Sequence, residues 1–218
     1  VLREYLAYRI LNVMTESSYR VRLLRISYVD SVDGEANPDN FGFLIEHREQ
    51  LADRIGLKEK KVDSTRVEEL DPASLNLSSV FQYLIGNTDF SPVAGAEGED
   101  CCHNYSILGD EAGTLMAIPY DFDMSGWVDA KYATPNPELR LRSVRDRLYR
   151  GRCANNAHIA ASVQAFKTRQ QEIYSLITDL EPLAPSTKKK LTRYLDGFYK
   201  VIDNPKRIES RLVGKCMD

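Results

Sequence analysis

Three stretches decide the fold: Gly86-Asn87-Thr88-Asp89-Phe90, His103-Asn104-Tyr105, and Pro119-Tyr120-Asp121-Phe122-Asp123. Between the second and third lie two short apolar runs, 104–108 and 115–118, with Gly109-Asp110 as a turn signal between them. They predict a β-hairpin, and such a hairpin sets its two polar flanks side by side. Asp89, Asn104, Asp121 and Asp123 would then converge on one spot. Asp121 and Asp123 are separated by a single Phe, so in an extended strand both carboxylates point the same way. Two like charges on one face repel unless a cation or an Arg lies between them.

Working outward, Asp71-Pro72 reads as a helix start, with Asp at the cap and Pro in the first turn. That helix should run to about Ile85 and stop at Gly86-Asn87. Upstream, Leu2, Leu6, Ile10 and Val13 form an amphipathic stripe that predicts a helix over 1–14. Residues 20–29 are β-prone, and Phe41 to Glu46 is a short apolar strand. Asp33-Gly34 and Asn37-Pro38 mark turns between them, so 20–46 reads as a hairpin with a loose loop. A short helix fits 47–55, and 57–72 reads as a polar connector. Downstream, Ile159, Val163, Phe166, Ile173 and Leu180 hold one helical face, and Leu191, Leu195, Phe198 and Ile202 another. The order is that of an α+β chain with a mostly helical C-terminal half.

Composition narrows the class. The 218 residues are 43% hydrophobic and 28% charged, with 12 Gly and 9 Pro, which excludes fibrous and wholly disordered chains. Against 32 Asp+Glu stand 29 Lys+Arg, a net charge of −3. A dedicated duplex-DNA binder is usually basic, so no nucleic-acid partner is expected. No apolar run approaches the roughly 18 residues of a membrane span. Cys101, Cys102, Cys153 and Cys216 lack zinc spacing. Vicinal cysteines rarely bridge each other, whereas Cys153 is available for a long-range disulfide.

Asn and Asp oxygens suit a hard cation such as Mg²⁺ or Mn²⁺, which takes one or two carboxylates from protein. Phosphoryl transfer needs metal-held phosphates and a carboxylate that orients the attacking hydroxyl. In protein kinases a catalytic Asp is followed about five positions later by a metal-binding Asn, then by an Asp-Phe-Gly element. Here the order is the same, but Asp89 and Asn104 are fifteen positions apart. Local readings compete. Asp89 could cap a turn, and His103 could hydrogen-bond the loop backbone. Six Arg in 139–152 could recognise an acidic or phosphorylated substrate or form a solvated helix face.

The motifs Gly86-Asn87-Thr88-Asp89, His103-Asn104-Tyr105 and Pro119-Tyr120-Asp121-Phe122-Asp123 resemble the catalytic core of the spore-coat CotH-type kinases, atypical members of the protein-kinase-like fold. Val1-Leu2-Arg3-Glu4-Tyr5-Leu6-Ala7-Tyr8-Arg9 resembles that family's N-lobe helix. Phe41-Gly42-Phe43-Leu44-Ile45-Glu46 resembles its strand into the hinge. The resemblance covers roughly 1–128. It implies a protein-kinase-like architecture, with a partial, β-containing N-lobe over 1–56 and a mostly helical C-lobe over 57–218. It implies an ATP- and Mg-dependent phosphotransferase acting on a protein hydroxyl or a small molecule. Asp89 would be the catalytic-loop carboxylate, and Asn104, Asp121 and Asp123 the metal ligands. Glu4 would sit where a helix Glu pairs with a phosphate-binding Lys, and Glu46 would border the adenine pocket. The family's glycine-rich loop and Lys strand should precede Val1, and no GxGxxG occurs in the chain. The chain is therefore expected to be an N-terminally truncated piece of a larger kinase-like protein. A catalytically inactive, kinase-like binding module is the alternative.

Overall fold

The computed structural model describes residues 1–35, 40–95 and 98–218; the Asn37-Pro38 turn signal lies outside them. The protein is α+β. Helix Leu2–Met14 (α1) leads into an antiparallel pair, Val21–Ile26 (β1) and Asn40–Ile45 (β2), in which Val21 faces Ile45 and Ile26 faces Asn40. Helix Arg48–Arg54 (α2) follows, then helix Pro72–Ile85 (α3), and the hairpin Tyr105–Gly109 (β4) and Leu115–Pro119 (β5). Four helices complete the chain: Ile159–Thr168 (α4), Gln170–Asp179 (α5), Pro185–Ile202 (α6) and Pro205–Arg211 (α7). Among the described residues no helix is long and apolar enough to cross a membrane.

The punctuation of α3 is local chemistry. The Asp71 carboxylate accepts from the Ser74 amide at 2.7 Å, and Pro72 occupies the first turn, where a missing N–H costs nothing. Gly86 ends the helix at φ +64°, a conformation glycine adopts without strain. A Cβ there would fall 2.1 Å from the Tyr194 hydroxyl, so space as well as dihedral demands glycine.

One continuous core joins the N-terminal third to the C-terminal helices. Leu6, Ile10, Leu51, Phe81, Phe122, Trp127, Phe198 and Leu212 all belong to it. Phe122 is fully buried between the rings of Tyr8, 4.6 Å away, and Phe81, 5.2 Å away. Burying such a ring is worth roughly 2–3 kcal/mol, which pins the Asp-Phe-Asp segment by its middle residue.

Four expectations need correction. Residues 58–59 form a short strand (β3) on the edge of β4, with Lys58 opposite Gly109, so the connector is partly β. The helical stretch from 159 to 180 is two helices, broken at Arg169. The Arg-rich stretch 139–152 is irregular, lying between the 3-10 turns Pro137–Leu139 and Cys153–His158, and is no helix face. Cys101 and Cys102, joined by a cis peptide, are bridged to each other, and Cys153 is bridged to Cys216.

Candidate functional site

The C-terminus of α3 positions both motif segments. Directly beyond Gly86, the Asp89 amide donates to Asn87 Oδ1 at 3.0 Å, closing a tight turn. On the other segment, Gly126 N donates to Gly86 O at 3.1 Å and Trp127 N to Ile85 O at 2.8 Å. The helix end thus carries Asp89 on one side and is clamped to the chain leaving Asp123 on the other.

The long loop closes as the sequence suggests. Asn104 Nδ2 donates to Asp89 O at 2.7 Å and to Asp89 Oδ2 at 3.2 Å. His103 Nε2 lies 2.9 Å from Asp89 Oδ1. The histidine side chain therefore meets a carboxylate and not the loop backbone that local pattern suggested for it. Asp89 fixes its turn through its amide, while its carboxylate serves the His103–Asn104 pair. Arg150 braces this loop: its guanidinium donates to Thr88 O and, at 3.0 Å, to Phe90 O, the carbonyls flanking Asp89.

The hairpin returns the chain to Asn104, whose carbonyl accepts from Tyr120 N at 3.0 Å. Asn104 and Asp121 have φ of +57° and +56°. Left-handed backbone is uncommon outside glycine, with Asn and Asp the residues that tolerate it best. Asp121 therefore does not continue β5, and the expected extended alternation of Asp121 and Asp123 is replaced by a turn. The two carboxyls still interact. Burial raises the Asp121 pKa first, and the Asp123 carboxylate raises it further; the Asp123 amide opposes, and Asp89 adds a smaller push upward. The Asp121 amide donates to the hydroxyl of Tyr8 at 2.9 Å, and Asp123 accepts from Tyr132 at 2.7 Å. Tyr132 is 65% exposed and caps Asp123 from the solvent side.

Glu4 joins this group. It is half-buried, and its pKa rises from 4.5 to about 7, chiefly through burial, with Asp121 and Asp123 adding to the rise and the Val1 amino group opposing it. Among the described residues Glu4, Asp121 and Asp123 have no Lys or Arg partner. This excludes the Arg-paired structural reading of the two Asp. Glu46 is different. It lines a cleft of about 400 Å³ with Tyr8, Tyr19, Arg48 and Tyr120. Its carboxylate is spent on Arg54, at 2.8 and 2.9 Å, and on Arg20 N, at 3.0 Å. The Arg54 hydrogen bonds, first among the causes, hold its carboxyl below the usual range.

A second cleft, of about 880 Å³, is lined by Asp89, His103, Met124, Thr134, Glu138 and Arg150 among others. Tyr120 borders the first cleft and Met124 the second, so the Asp121–Asp123 segment joins the two. No three His, Cys, Asp or Glu side chains among the described residues are grouped closely enough to hold a metal. A hard cation needs fewer carboxylates than that. The uncompensated Asp121 and Asp123 carboxylates, with the Asn104 amide oxygen, are a donor set of that chemistry.

Sequence reasoning did not single out Tyr8 or Arg150. Tyr8 stands four positions after Glu4 on α1, a spacing that shares a helical face. Arg150 was visible only as one of a run.

Neither family models, curated proteins nor solved structures gave a match to this chain.

Proposed function

We propose that the chain is an ATP- and Mg²⁺-dependent phosphotransferase of the CotH-like kinase type, two-lobed with its division near residue 56. It transfers phosphate to a protein hydroxyl or a small molecule. The observation that carries this reading is the closure of the long loop. Asn104 hydrogen-bonds both the backbone and the carboxylate of Asp89 across fifteen positions, and the hairpin then brings Asp121 within electrostatic reach of Asp89. In this reading Asp89 orients the acceptor hydroxyl in the larger cleft and receives its proton, while His103 holds the carboxylate in place. The smaller, tyrosine-lined cleft takes the nucleotide base. Asn104, Asp121 and Asp123 would hold Mg²⁺ or Mn²⁺, whose charge offsets that building on the transferred phosphoryl group. Glu46 borders the nucleotide cleft and secures its wall through Arg54.

The test is the thermal shift produced by Mg²⁺-ATP on the wild-type protein and on Asp121→Ala. At about 100 times its dissociation constant a ligand stabilises the native state by roughly 2.7 kcal/mol. The expected result is a shift that Asp121→Ala loses, with turnover lost in both Asp121→Ala and Asp89→Asn. Retained turnover in Asp121→Ala rejects the proposal. Glu4 favours a second reading, an inactive binding module of the same fold, because it stands beside two acids and, among the described residues, has no Lys partner. A nucleotide-dependent shift without turnover in the wild type selects that reading.

A further inference from the structure

Beyond the acidic site, the Arg-rich segment meets α6 in a cleft of about 620 Å³. Arg145, Arg147, Lys190 and Arg193 line it, with Tyr194 and Gly197. One carboxylate, Asp129, also lines it, and it is already engaged. Asp129 Oδ2 accepts from Arg145 at 2.9 Å and has Arg3 at 3.7 Å. Lys190, Arg193, Tyr194 and Gly197 recur at helical spacing, so they share one face of α6. Lys190 and Arg193 are exposed, and among the described residues neither has a carboxylate partner.

Arg147 shows that the cleft is built. Its guanidinium donates to Leu84 O at 3.0 Å and to Tyr194 O at 2.7 Å, and it lies 3.8 Å above the Tyr194 ring centroid. Arg145 lies 4.9 Å from the same centroid. Two guanidinium groups thus share one tyrosine. Burial lowers the Arg147 pKa, and the charge of Arg145 adds to that. Gly197 makes the arrangement feasible, since a Cβ there would stand 3.1 Å from Arg147 Nη1. Glycine inside a helix is disfavoured against alanine. A helix glycine, a half-buried cation without a carboxylate and two exposed cations without a carboxylate partner therefore meet at one place.

We propose that this cleft binds an anionic ligand of the phosphate-monoester class, independently of the phosphotransferase reading. A phosphate dianion offers three acceptor oxygens, which suit Arg forks and a Lys point charge together. The volume lies in the range of small-molecule sites and exceeds what a bare anion fills.

Calorimetric titration at fixed ionic strength tests this with three probes: inorganic phosphate, glucose 6-phosphate and a phosphoserine peptide. The peptide's counterpart carrying Glu in place of phosphoserine serves as control. The expected result is saturable binding of at least one phosphate probe, weakened tenfold or more in Lys190→Ala/Arg193→Ala. Gly197→Ala should also weaken it, while Asp121→Ala binds as the wild type does. Tighter binding of glucose 6-phosphate assigns a free phosphometabolite as the source; tighter binding of the peptide assigns a phosphorylated side chain. Three results overturn the proposal: no saturable phosphate binding, equal binding in the double variant, or preference for the Glu peptide over its phosphorylated form. The two substituted side chains are exposed, so a folded double variant is expected, and its circular dichroism spectrum verifies that.

Discussion

Removing the Cys153–Cys216 bridge should weaken the fold and, through one segment, the site. The bridge closes a loop of sequence separation 63. In the chain-entropy model such a closure restricts the unfolded chain by about 14 cal/mol/K, or about 4 kcal/mol at 25 °C. For a chain of this size each kcal/mol moves the midpoint by roughly 2–4 °C, so the loss is about 8–16 °C. The bonds that accompany the bridge do not replace it. Met217 N donates to Gly151 O at 2.8 Å, Cys153 N to Met217 O at 2.9 Å, and Arg152 to Asp218 O at 2.8 Å. These are formed only in the folded state, whereas the bridge acts on the unfolded one.

The variant is Cys153→Ser/Cys216→Ser, which leaves the Cys101–Cys102 pair in place. Equilibrium unfolding in urea should show a free energy lower by about 4 kcal/mol and a steeper denaturant dependence, because the unfolded chain expands once the crosslink is gone. Arg150, three positions before Cys153, holds the carbonyls on both sides of Asp89. Susceptibility to proteolysis in 88–103 should rise with the substitution. A loss below about 1 kcal/mol would refute the loop-closure argument. Free thiols at Cys153 or Cys216 in the unreduced wild type would refute the bridge itself.

Other outcomes follow from single residues. The pKa of Glu4 is higher in the folded state, about 7 against 4.5, so the folded form holds a proton that the unfolded form releases between those values. Its contribution is fully present below pH 4.5 and lost as pH rises through 7; Glu4→Gln should flatten that fall and melt higher than the wild type at pH 8, read by thermal melts from pH 5 to 8. Arg150→Met keeps the apolar stem and removes the donors to Thr88 O and Phe90 O. Loss of charged hydrogen bonds of this kind should cost about 2 kcal/mol or more in urea unfolding, and a cost under 0.5 kcal/mol by this same measure would show that the loop holds itself. Gly86→Ala adds a Cβ where Tyr194 stands 2.1 Å away, at a positive φ. It should destabilise by more than the roughly 1 kcal/mol of the dihedral alone, with Gly86→Asn milder in backbone strain but not in the clash.

What was legible in the sequence was short-range. The Asp71 cap, the Gly86 stop and the hairpin around Gly109 each depend on neighbours within a few positions, and each is where the pattern puts it. The meeting of Asn104 with the chain entering Asp121 was legible because a hairpin is itself local and carries its flanks with it. What was hidden depends on partners far along the chain. The β3 strand exists because Lys60 N finds Ile107 O at 2.9 Å, and nothing near residue 58 announces this. Arg150 and Arg147 look alike within one run, yet one braces the Asp89 loop and the other stacks on α6. An arginine's role is set by which carbonyls its fork reaches, and local pattern does not carry that. Asn76 teaches the same lesson: its Asn-Leu-Ser context matches a glycosylation acceptor, yet it is buried and bonded to Tyr149, Asn155 and Ser162.

A net charge of −3 also conceals how charge is arranged. Glu4, Asp89, Asp121 and Asp123 draw together at the hairpin end, while Arg145, Arg147, Lys190 and Arg193 gather against α6. The chain passes from one group to the other through Trp127, fully buried, whose indole N–H donates to Arg3 O at 2.8 Å. Arg3 in turn donates to Val128 O at 2.8 Å and approaches Asp129. Each group would relax by pairing with the other, and the buried, hydrogen-bonded Trp127 segment lies between them. Segregated charge held by a buried scaffold is costly to a fold that needs neither group, since like charges in a low-dielectric cleft repel. It becomes favourable when each side meets a ligand of opposite sign, a cation at the acids and an anion at the bases. The charge geometry thus supports the two ligand sites proposed above on this one framework.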